Sequence, residues 1–164
     1  MKNYNRFISM ESEQEEAVPD ELVKAIIMAY CDEMTASLQY MMAKHQARGS
    51  VYKDAVEEYE QHEHDEHEHA EKWLERLEQL GVIIRLDYEQ ISKSGNEWTP
   101  IRTSDLGEQL DILIKAEAGA RDFYGKIVDM AREKKDWITE ALAKQFMADE
   151  EEHRNDLVRI KEEI

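Results

Sequence analysis

The sequence contains one arrangement of acidic and imidazole side chains twice. A lone glutamate stands 33 positions before a Glu-x-x-His motif, and the whole arrangement recurs 84 positions later. Residues three apart lie on one face of a helix, and four glutamates with two histidines that converge between four helices bind two metal ions. The doubled motif therefore predicts helices that bury a di-metal site. Its six residues are Glu33, Glu66 and His69 in the first half and Glu117, Glu150 and His153 in the second.

The composition favours long helices in a single all-α domain. The 164 residues include only 6 Gly and 2 Pro, while 36% are charged, which is typical of helix-rich chains. A chain of this length can bury a sizeable core. We assign residues 20–164 to that domain and residues 1–19 to an N-terminal arm with freedom to move.

Net charge and cysteine content restrict the function classes. A formal net charge of −17 repels nucleic acid, so no nucleic-acid partner is expected. The single cysteine, Cys31, cannot form an internal disulfide, which fits a reducing compartment. The sequence has no run of about 18 apolar residues, and residues 1–20 lack the apolar core of a signal peptide. The expected location is the cytoplasm, without a membrane partner.

Apolar residues recur with helical period in four segments, and each segment carries part of the motif on its apolar face. Those faces extend to the helix ends, where they include Tyr52, Leu80 and Ile138. The predicted boundaries are Asp20 to Gly49, Ser50 to Gly81, a start near Ser104 and a start near Asp136, with Asp20 and Ser50 as N-caps and Gly81 as the residue that ends the second helix.

Between the second and third segments the helical period lapses, over residues 82–103. We expect this stretch to cross the length of the bundle without a helix of its own. Helices of about 28 residues are about 42 Å long, and about 22 extended residues can span that distance. The short first and third connections make their helix pairs antiparallel. The predicted fold is an antiparallel four-helix bundle with one long crossover between its second and third helices.

Four further residues repeat with the motif. Tyr40 and Tyr124 each lie seven positions after a lone glutamate, and Asp65 and Asp149 each immediately precede a Glu-x-x-His. We expect them to orient the ligands through hydrogen bonds.

The chemistry of the six residues explains why they would be buried together. Carboxylates gathered in a core repel one another and lose hydration, which raises their pKa values. Two divalent cations cancel four negative charges. Oxygen-rich ligands with one imidazole per metal suit iron or manganese better than a structural zinc. Two glutamates can bridge the ions while the other two each cap one.

Several nearby residues are interpreted without a metal role. The remaining histidines of the second helix, His62, His64 and His67, are expected to be exposed. Glu63 as an additional or access ligand is the less favoured alternative. Cys31 is interpreted as a structural or surface thiol. The aromatics interpreted as core or interface residues are Tyr30, Tyr59, Trp73 and Trp137.

Over residues 20–164 the chain resembles the ferritin superfamily, most closely the bacterioferritin-type and Dps-like proteins. The resemblance is carried by YCDEMTASLQY around Glu33, DEHEHAEKWLERL with Glu66 and His69, IKAEAGARDFYGKI around Glu117, and DEEEHRNDL with Glu150 and His153. It implies a ferroxidase that binds two Fe(II) ions per subunit and oxidises them with O₂ or H₂O₂. It also implies a homo-oligomeric hollow shell that stores the ferric product and protects against oxidative stress.

Departures from the family pattern limit which cofactor, shell size and partners we expect. The second helix contains no methionine, so the haem of bacterioferritin is not expected. The sequence ends near the predicted end of the fourth helix, which favours a 12-subunit shell over a 24-subunit one. Residues 1–20 are not basic, unlike the tails of DNA-binding Dps proteins, and the cysteine module of rubrerythrins is missing.

Two alternatives remain at the level of sequence. The same ligands serve a di-metal redox enzyme without storage, such as a manganese catalase-like or rubrerythrin-like peroxidase. A helix bundle with a structural or interaction role and a vestigial site is the third hypothesis. The motif does not choose the metal, the oxidant or the main role.

Overall fold

The computed structural model describes residues 8–9, 20–48 and 52–164. The predicted all-α fold is confirmed. Four long helices form an antiparallel bundle in which α1 packs mainly on α2 and α4 mainly on α5. None of the described helices is long and apolar enough to cross a bilayer. In chain order the elements are β1 (Ile8–Ser9), α1 (Glu21–Gln46), α2 (Tyr52–Gln79), β2 (Ile83–Ile84), α3 (Tyr88–Ser94), α4 (Leu106–Glu133) and α5 (Trp137–Glu162).

Aspartates cap the starts of three of the long helices. Asp20 accepts a hydrogen bond from the backbone N–H of Leu22 at 2.9 Å, and Asp136 accepts one from Thr139 at 3.1 Å. The sequence predicted Asp20 as a cap and a helix start near Asp136. α4 begins near Ser104 as predicted, and its cap is Asp105, whose carboxylate accepts from the backbone of the third residue of the helix. Gly49 and Ser50, the predicted end of the first helix and cap of the second, lie outside the described residues.

Gly81 ends α2 as predicted, through a left-handed turn. Its φ is +74°, and its N–H bonds to the carbonyl of Glu78 at 2.9 Å. The next N–H, of Val82, bonds to the carbonyl of Leu77 at 2.8 Å. This pair of bonds satisfies carbonyls that the helix leaves open, and glycine adopts the required φ without steric cost.

The crossover is not a stretch without helix, so that prediction was wrong. Residues 88–94 form α3 because Asp87 and Gln90 cap it reciprocally. The Asp87 side chain accepts from the backbone of Gln90 at 2.9 Å, and the Gln90 side chain accepts from the backbone of Asp87 at 2.8 Å. Just before it, β2 pairs antiparallel with β1. Apart from β1, the predicted N-terminal arm lies outside the described residues and stays a prediction.

The bundle core consists of two hydrophobic clusters with a polar layer between them. One cluster, around Ile26, Trp73 and Ile127, occupies the end where α1 and α5 begin. The other, around Leu110 and Leu157, occupies the opposite end. The six motif residues lie on all four long helices between these clusters, so hydrophobic packing on both sides holds the polar layer.

The predicted buried faces were too long at the helix ends. Tyr52 is 41% exposed, Leu80 is 37% exposed and Ile138 is 62% exposed. Tyr52 and Ile138 lie in the first turns of α2 and α5, and Leu80 directly follows the last residue of α2. At these positions the facing helices no longer cover the apolar face. Helical period alone does not indicate where a neighbouring helix stops.

Candidate metal centre

The structure brings all six motif residues together in the middle of the bundle. None is more than 6% exposed. They form two overlapping groups whose ligand atoms lie within 4.8 Å of one another. Both groups include Glu66 and Glu150, so the two groups share these glutamates. The first group is Glu33, Glu66, His69 and Glu150, and the second is Glu66, Glu117, Glu150 and His153.

The imidazole of His69 has one nitrogen on the ligand cluster and the other on an aspartate. Its Nδ1 lies 3.4 Å from Glu66 Oε2 and 3.4 Å from Glu150 Oε1. Its Nε2 lies 3.3 Å from Asp149 Oδ2. A carboxylate behind a ligating imidazole holds the ring and selects its tautomer. Nδ1 is thus the nitrogen that faces the glutamates of the ligand groups.

His153 repeats this geometry in the other half. Its Nδ1 lies 3.5 Å from Glu66 Oε1 and 3.9 Å from Glu117 Oε2, and its Nε2 lies 3.5 Å from Asp65 Oδ2. The pairing crosses between halves, because the aspartate beside one motif supports the histidine of the other. The sequence led us to expect that each aspartate orients a ligand, but it did not indicate that each would lie beside the histidine of the other half.

Two buried tyrosines donate hydrogen bonds to the lone glutamates, again across the halves. Tyr40 donates to Glu117 Oε1, and Tyr124 donates to Glu33 Oε1. Trp73 Nε1 in turn donates to the Tyr124 hydroxyl at 3.1 Å. Burial, together with the neighbouring Glu117 charge, raises the pKa of Tyr40 well above its usual value, so this hydroxyl remains a proton donor.

The donor atoms at the centre fit divalent metal ions. Buried polar atoms normally have a hydrogen-bond partner, yet several here have none. They are Glu66 Oε2, both carboxylate oxygens of Glu150, and Nδ1 of His69 and of His153. These atoms all belong to the two ligand groups. Cations placed among them would satisfy the oxygens and nitrogens together.

Burial and mutual repulsion divide the four glutamates into two kinds. Burial raises the pKa of Glu33 well above its usual value, and the nearby charge of Glu66 adds to this effect. The pKa of Glu117 is raised well above its usual value for the same two reasons. Burial also opposes ionisation of Glu66 and Glu150, but the imidazoles of both histidines outweigh it and lower both pKa values. In the metal-free centre Glu66 and Glu150 therefore ionise more readily than Glu33 and Glu117.

The two imidazoles carry the balancing positive charges. Burial opposes protonation of His69, but the surrounding glutamates, chiefly Glu150, outweigh burial and raise its pKa. For His153, burial is likewise outweighed by Glu150 and Glu66, and its pKa rises to about 10. Two imidazoliums then neutralise two carboxylates. This internal compensation explains how the metal-free core holds six ionisable groups.

His62 is buried and not exposed as the sequence interpretation had it. It is 1% exposed, and its ring stacks on His153 with centroids 4.1 Å apart. It lies four positions before Glu66 and seven before His69, so it shares their helix face. That spacing was present in the sequence. Burial lowers the pKa of His62 to about 4, which makes it a neutral imidazole near pH 7.

The other histidines and Glu63 take no part in the two ligand groups. The side chains of His64 and His67 are 65% and 55% exposed, as predicted. Glu63 pairs with Lys44 Nζ at 2.5 Å and belongs to neither group. Among the other singled-out residues, Cys31, Tyr59 and Trp73 are buried, Tyr30 is half-buried and Trp137 is 60% exposed.

Two cavities reach the centre from opposite sides of the bundle. One of about 410 Å³ lies between α2 and α5 and is lined by His62, His69 and His153. The other, of about 540 Å³, lies between α1, α4 and the crossover, and its lining includes Glu33 and Glu117. Small molecules and ions therefore have two approaches to the buried groups.

A four-helix bundle that gathers lone glutamates and paired Glu-x-x-His motifs has the arrangement of carboxylate-bridged di-metal proteins. The sequence matches the ferritin-like domain family over residues 23–164. The chain belongs to the ferritin-like family. No curated protein matches the sequence.

Solved structures support the same fold. A bacterioferritin-related thioferritin from Bacteroides fragilis, described as dodecameric, superposes with a TM-score of 0.81 at 26% identity, covering 85% of this chain and 83% of that chain. Dps from Vibrio cholerae O1 gives 0.77 at 14% identity, covering 85% and 87%. Dps from Listeria monocytogenes gives 0.76 at 13% identity, covering 82% and 89%. The two Dps likenesses support the fold alone.

Proposed function

We propose that this protein is a ferroxidase that binds two Fe(II) ions per subunit in the bundle core. The single observation that carries the proposal is the pair of ligand groups sharing Glu66 and Glu150, with their buried donor atoms unpartnered. Membership of the ferritin-like family supports iron as the metal. The proposed ligands are Glu33 and His69 for one ion, Glu117 and His153 for the other, and the two shared glutamates as bridges.

The electron balance requires both ions. Each Fe(II) gives up one electron on becoming Fe(III). A pair therefore reduces O₂ to H₂O₂, or H₂O₂ to two water molecules, and either reaction consumes two protons. The bridging glutamates hold both ions within reach of one oxidant molecule, which removes the need for a three-body encounter.

The surrounding residues hold the ligands in place during this reaction. Asp149 and Asp65 keep Nδ1 of His69 and His153 directed at the ions. Tyr124 supports one oxygen of Glu33, so the second oxygen is the one available to iron. The hydrophobic clusters above and below exclude water, which strengthens the electrostatic attraction between carboxylates and cations.

An anaerobic Fe(II) titration followed by oxidant tests the proposal. Binding should saturate near two ions per chain, and O₂ or H₂O₂ should then produce ferric absorbance faster than in protein-free solution. Glu66→Ala and Glu150→Ala should lose both binding and rapid oxidation. Glu57→Ala, an exposed glutamate on α2, is the matched control and should behave as wild type. Oxidation no faster than the protein-free rate would refute the assignment.

We further propose that the ferric product is kept inside a homo-oligomeric shell of 12 subunits. The support is the likeness to the Bacteroides fragilis thioferritin, which is described as dodecameric. The two cavities that reach the centre, of about 410 and 540 Å³, are too small for a mineral particle, so storage requires an interior shared between subunits. Native mass by light scattering tests this proposal. A monomer or dimer that carries manganese would instead favour the peroxidase-like alternative without storage.

A further inference from the structure

The two halves of the centre differ at three positions on the side of the α2–α5 cavity. The 84-residue repeat relates His62 to Phe146, and both rings take the same place. His62 stacks on His153 with centroids 4.1 Å apart at 27°, and Phe146 lies tilted against His69 with centroids 4.0 Å apart at 33°. The same repeat relates Glu58 to Leu142 and Asp156 to Lys72.

The three differing residues of one half form a compact ligand group. One ligand atom each from Glu58, His62 and Asp156 lies within 4.8 Å of the others. In the related half, Leu142, Phe146 and Lys72 offer no ligand and one positive charge. All these residues line the same cavity. The cavity therefore has one end suited to a cation and one end that is not.

The imidazole of His62 is the observation that points to a ligand. Its side chain is 2% exposed, and its Nδ1 is buried without a hydrogen bond. Its Nε2 lies 3.7 Å from Glu58 Oε2, which is too long for a hydrogen bond. A buried imidazole without a hydrogen-bond partner is energetically costly, whereas the phenylalanine at the related position has no polar atom to satisfy.

The charges around this group favour a cation. Glu58 and Asp156 supply two carboxylates whose side chains are 40% and 23% exposed, so ions can reach them from solvent. Arg159 contacts Asp156 Oδ1 at 2.6 Å, but its own side chain is 73% exposed and can move aside. One nitrogen and two oxygen donors suit Fe(II), Co(II) and Zn(II). Metal bonds of about 2.0–2.2 Å place donors roughly 3–4 Å apart, a small contraction from the present spacing.

We propose that Glu58, His62 and Asp156 form a third divalent-cation site beside the His153 end of the centre. The role of this site as a staging position for iron deepens the proposed function and rests on it. Cation binding at the site does not depend on the proposed function. Iron then has a route through the α2–α5 cavity at the His153 end alone. At the His69 end, Phe146 and Lys72 block and repel cations.

Cobalt(II), which is stable to air on this timescale and has a visible spectrum, is the probe. Metal-free protein is titrated with Co(II), and bound metal is counted per chain after gel filtration. We expect three ions for wild type, two for the centre and one for the new site. The double variant Glu58→Gln/Asp156→Asn keeps side-chain shape and should bind two. His62→Phe, which copies the related position, should also bind two.

The controls separate this inference from the proposed function. Lys72→Ala, at the related end of the cavity, should still bind three ions. Saturation of wild type at two ions, or a third ion unaffected by Glu58→Gln/Asp156→Asn, overturns the third site and leaves the ferroxidase proposal intact. If wild type binds a single ion in all, and Glu66→Ala retains that ion while Glu58→Gln/Asp156→Asn loses it, the ferroxidase proposal alone is overturned. Anomalous scattering from cobalt-soaked crystals locates each ion directly.

Discussion

Metal binding should release protons from the centre, and the structure predicts how many. Ligand atoms bind metals in their deprotonated form, so every proton on an atom that binds a metal must leave. The raised pKa of about 10 for His153 means that its imidazole is protonated near pH 7. His69, with a pKa raised by the surrounding glutamates, is protonated as well. The proton on each Nδ1 occupies the position that a metal would take.

The expected release is between two and four protons per chain. The two imidazoliums contribute two. Glu33 and Glu117, whose pKa values are raised well above the usual carboxyl value, contribute up to two more. The Nε2 protons remain, because they face Asp149 and Asp65 and not the ligand cluster. A centre with neutral imidazoles and four ionised glutamates would release no protons at all.

Proton release is measured by adding Zn(II), which has no redox chemistry, to metal-free protein in weak buffer near pH 7 with an indicator dye. Repeating the titration by calorimetry in buffers of different ionisation enthalpy gives an independent count. Release of less than one proton per chain would refute the assigned protonation states. It would mean that the metal-free carboxylates tolerate four uncompensated charges in the core.

Three further outcomes are expected. The raised pKa of His153 contributes stability that is complete below 6.5, the pKa of the unfolded histidine, and that is lost as pH rises through about 10. The melting temperature of metal-free protein should therefore fall between pH 7 and pH 10. An equal fall in Zn(II)-loaded protein would contradict the assignment of this effect to His153. Tyr124→Phe leaves the buried Trp73 N–H without its acceptor, so unfolding in denaturant should show a loss of about 1–3 kcal/mol, with no loss if that N–H finds water. Leu113→Ala empties a fully buried site and should cost about 2–5 kcal/mol, whereas Leu38→Ala, at a residue 48% exposed, should cost clearly less in the same assay.

Capping residues and turn glycines in the sequence were sufficient to predict most of the helix boundaries. Asp20 and Asp136 cap helices because a short carboxylate next to an apolar periodic segment can reach the first free N–H groups. Gly81 ends α2 because its φ is positive. The helix α3 was missed although Asp87 and Gln90 have capping-box spacing. That segment is too short for apolar periodicity to reveal it.

Side-chain environment was predicted less well where it depends on a neighbouring helix. His62 was interpreted as exposed together with His64 and His67, which follow it in the same charged stretch of α2. Its burial depends on α5, which places His153 against its ring. Ile138 shows the opposite error, since its apolar side chain is 62% exposed where no facing helix covers it.

The sequence by itself determined the helical class, the long crossover and the identity of the six candidate ligands, because these follow from spacing along single helices. Only the tertiary structure decided that Glu66 and Glu150 are shared, that the aspartates support the histidine of the opposite half, and that one end of the α2–α5 cavity offers ligands. Each of these depends on distances between segments about 80 residues apart in the chain, and those distances are set by packing between helices. A pattern within one helix contains no information about them.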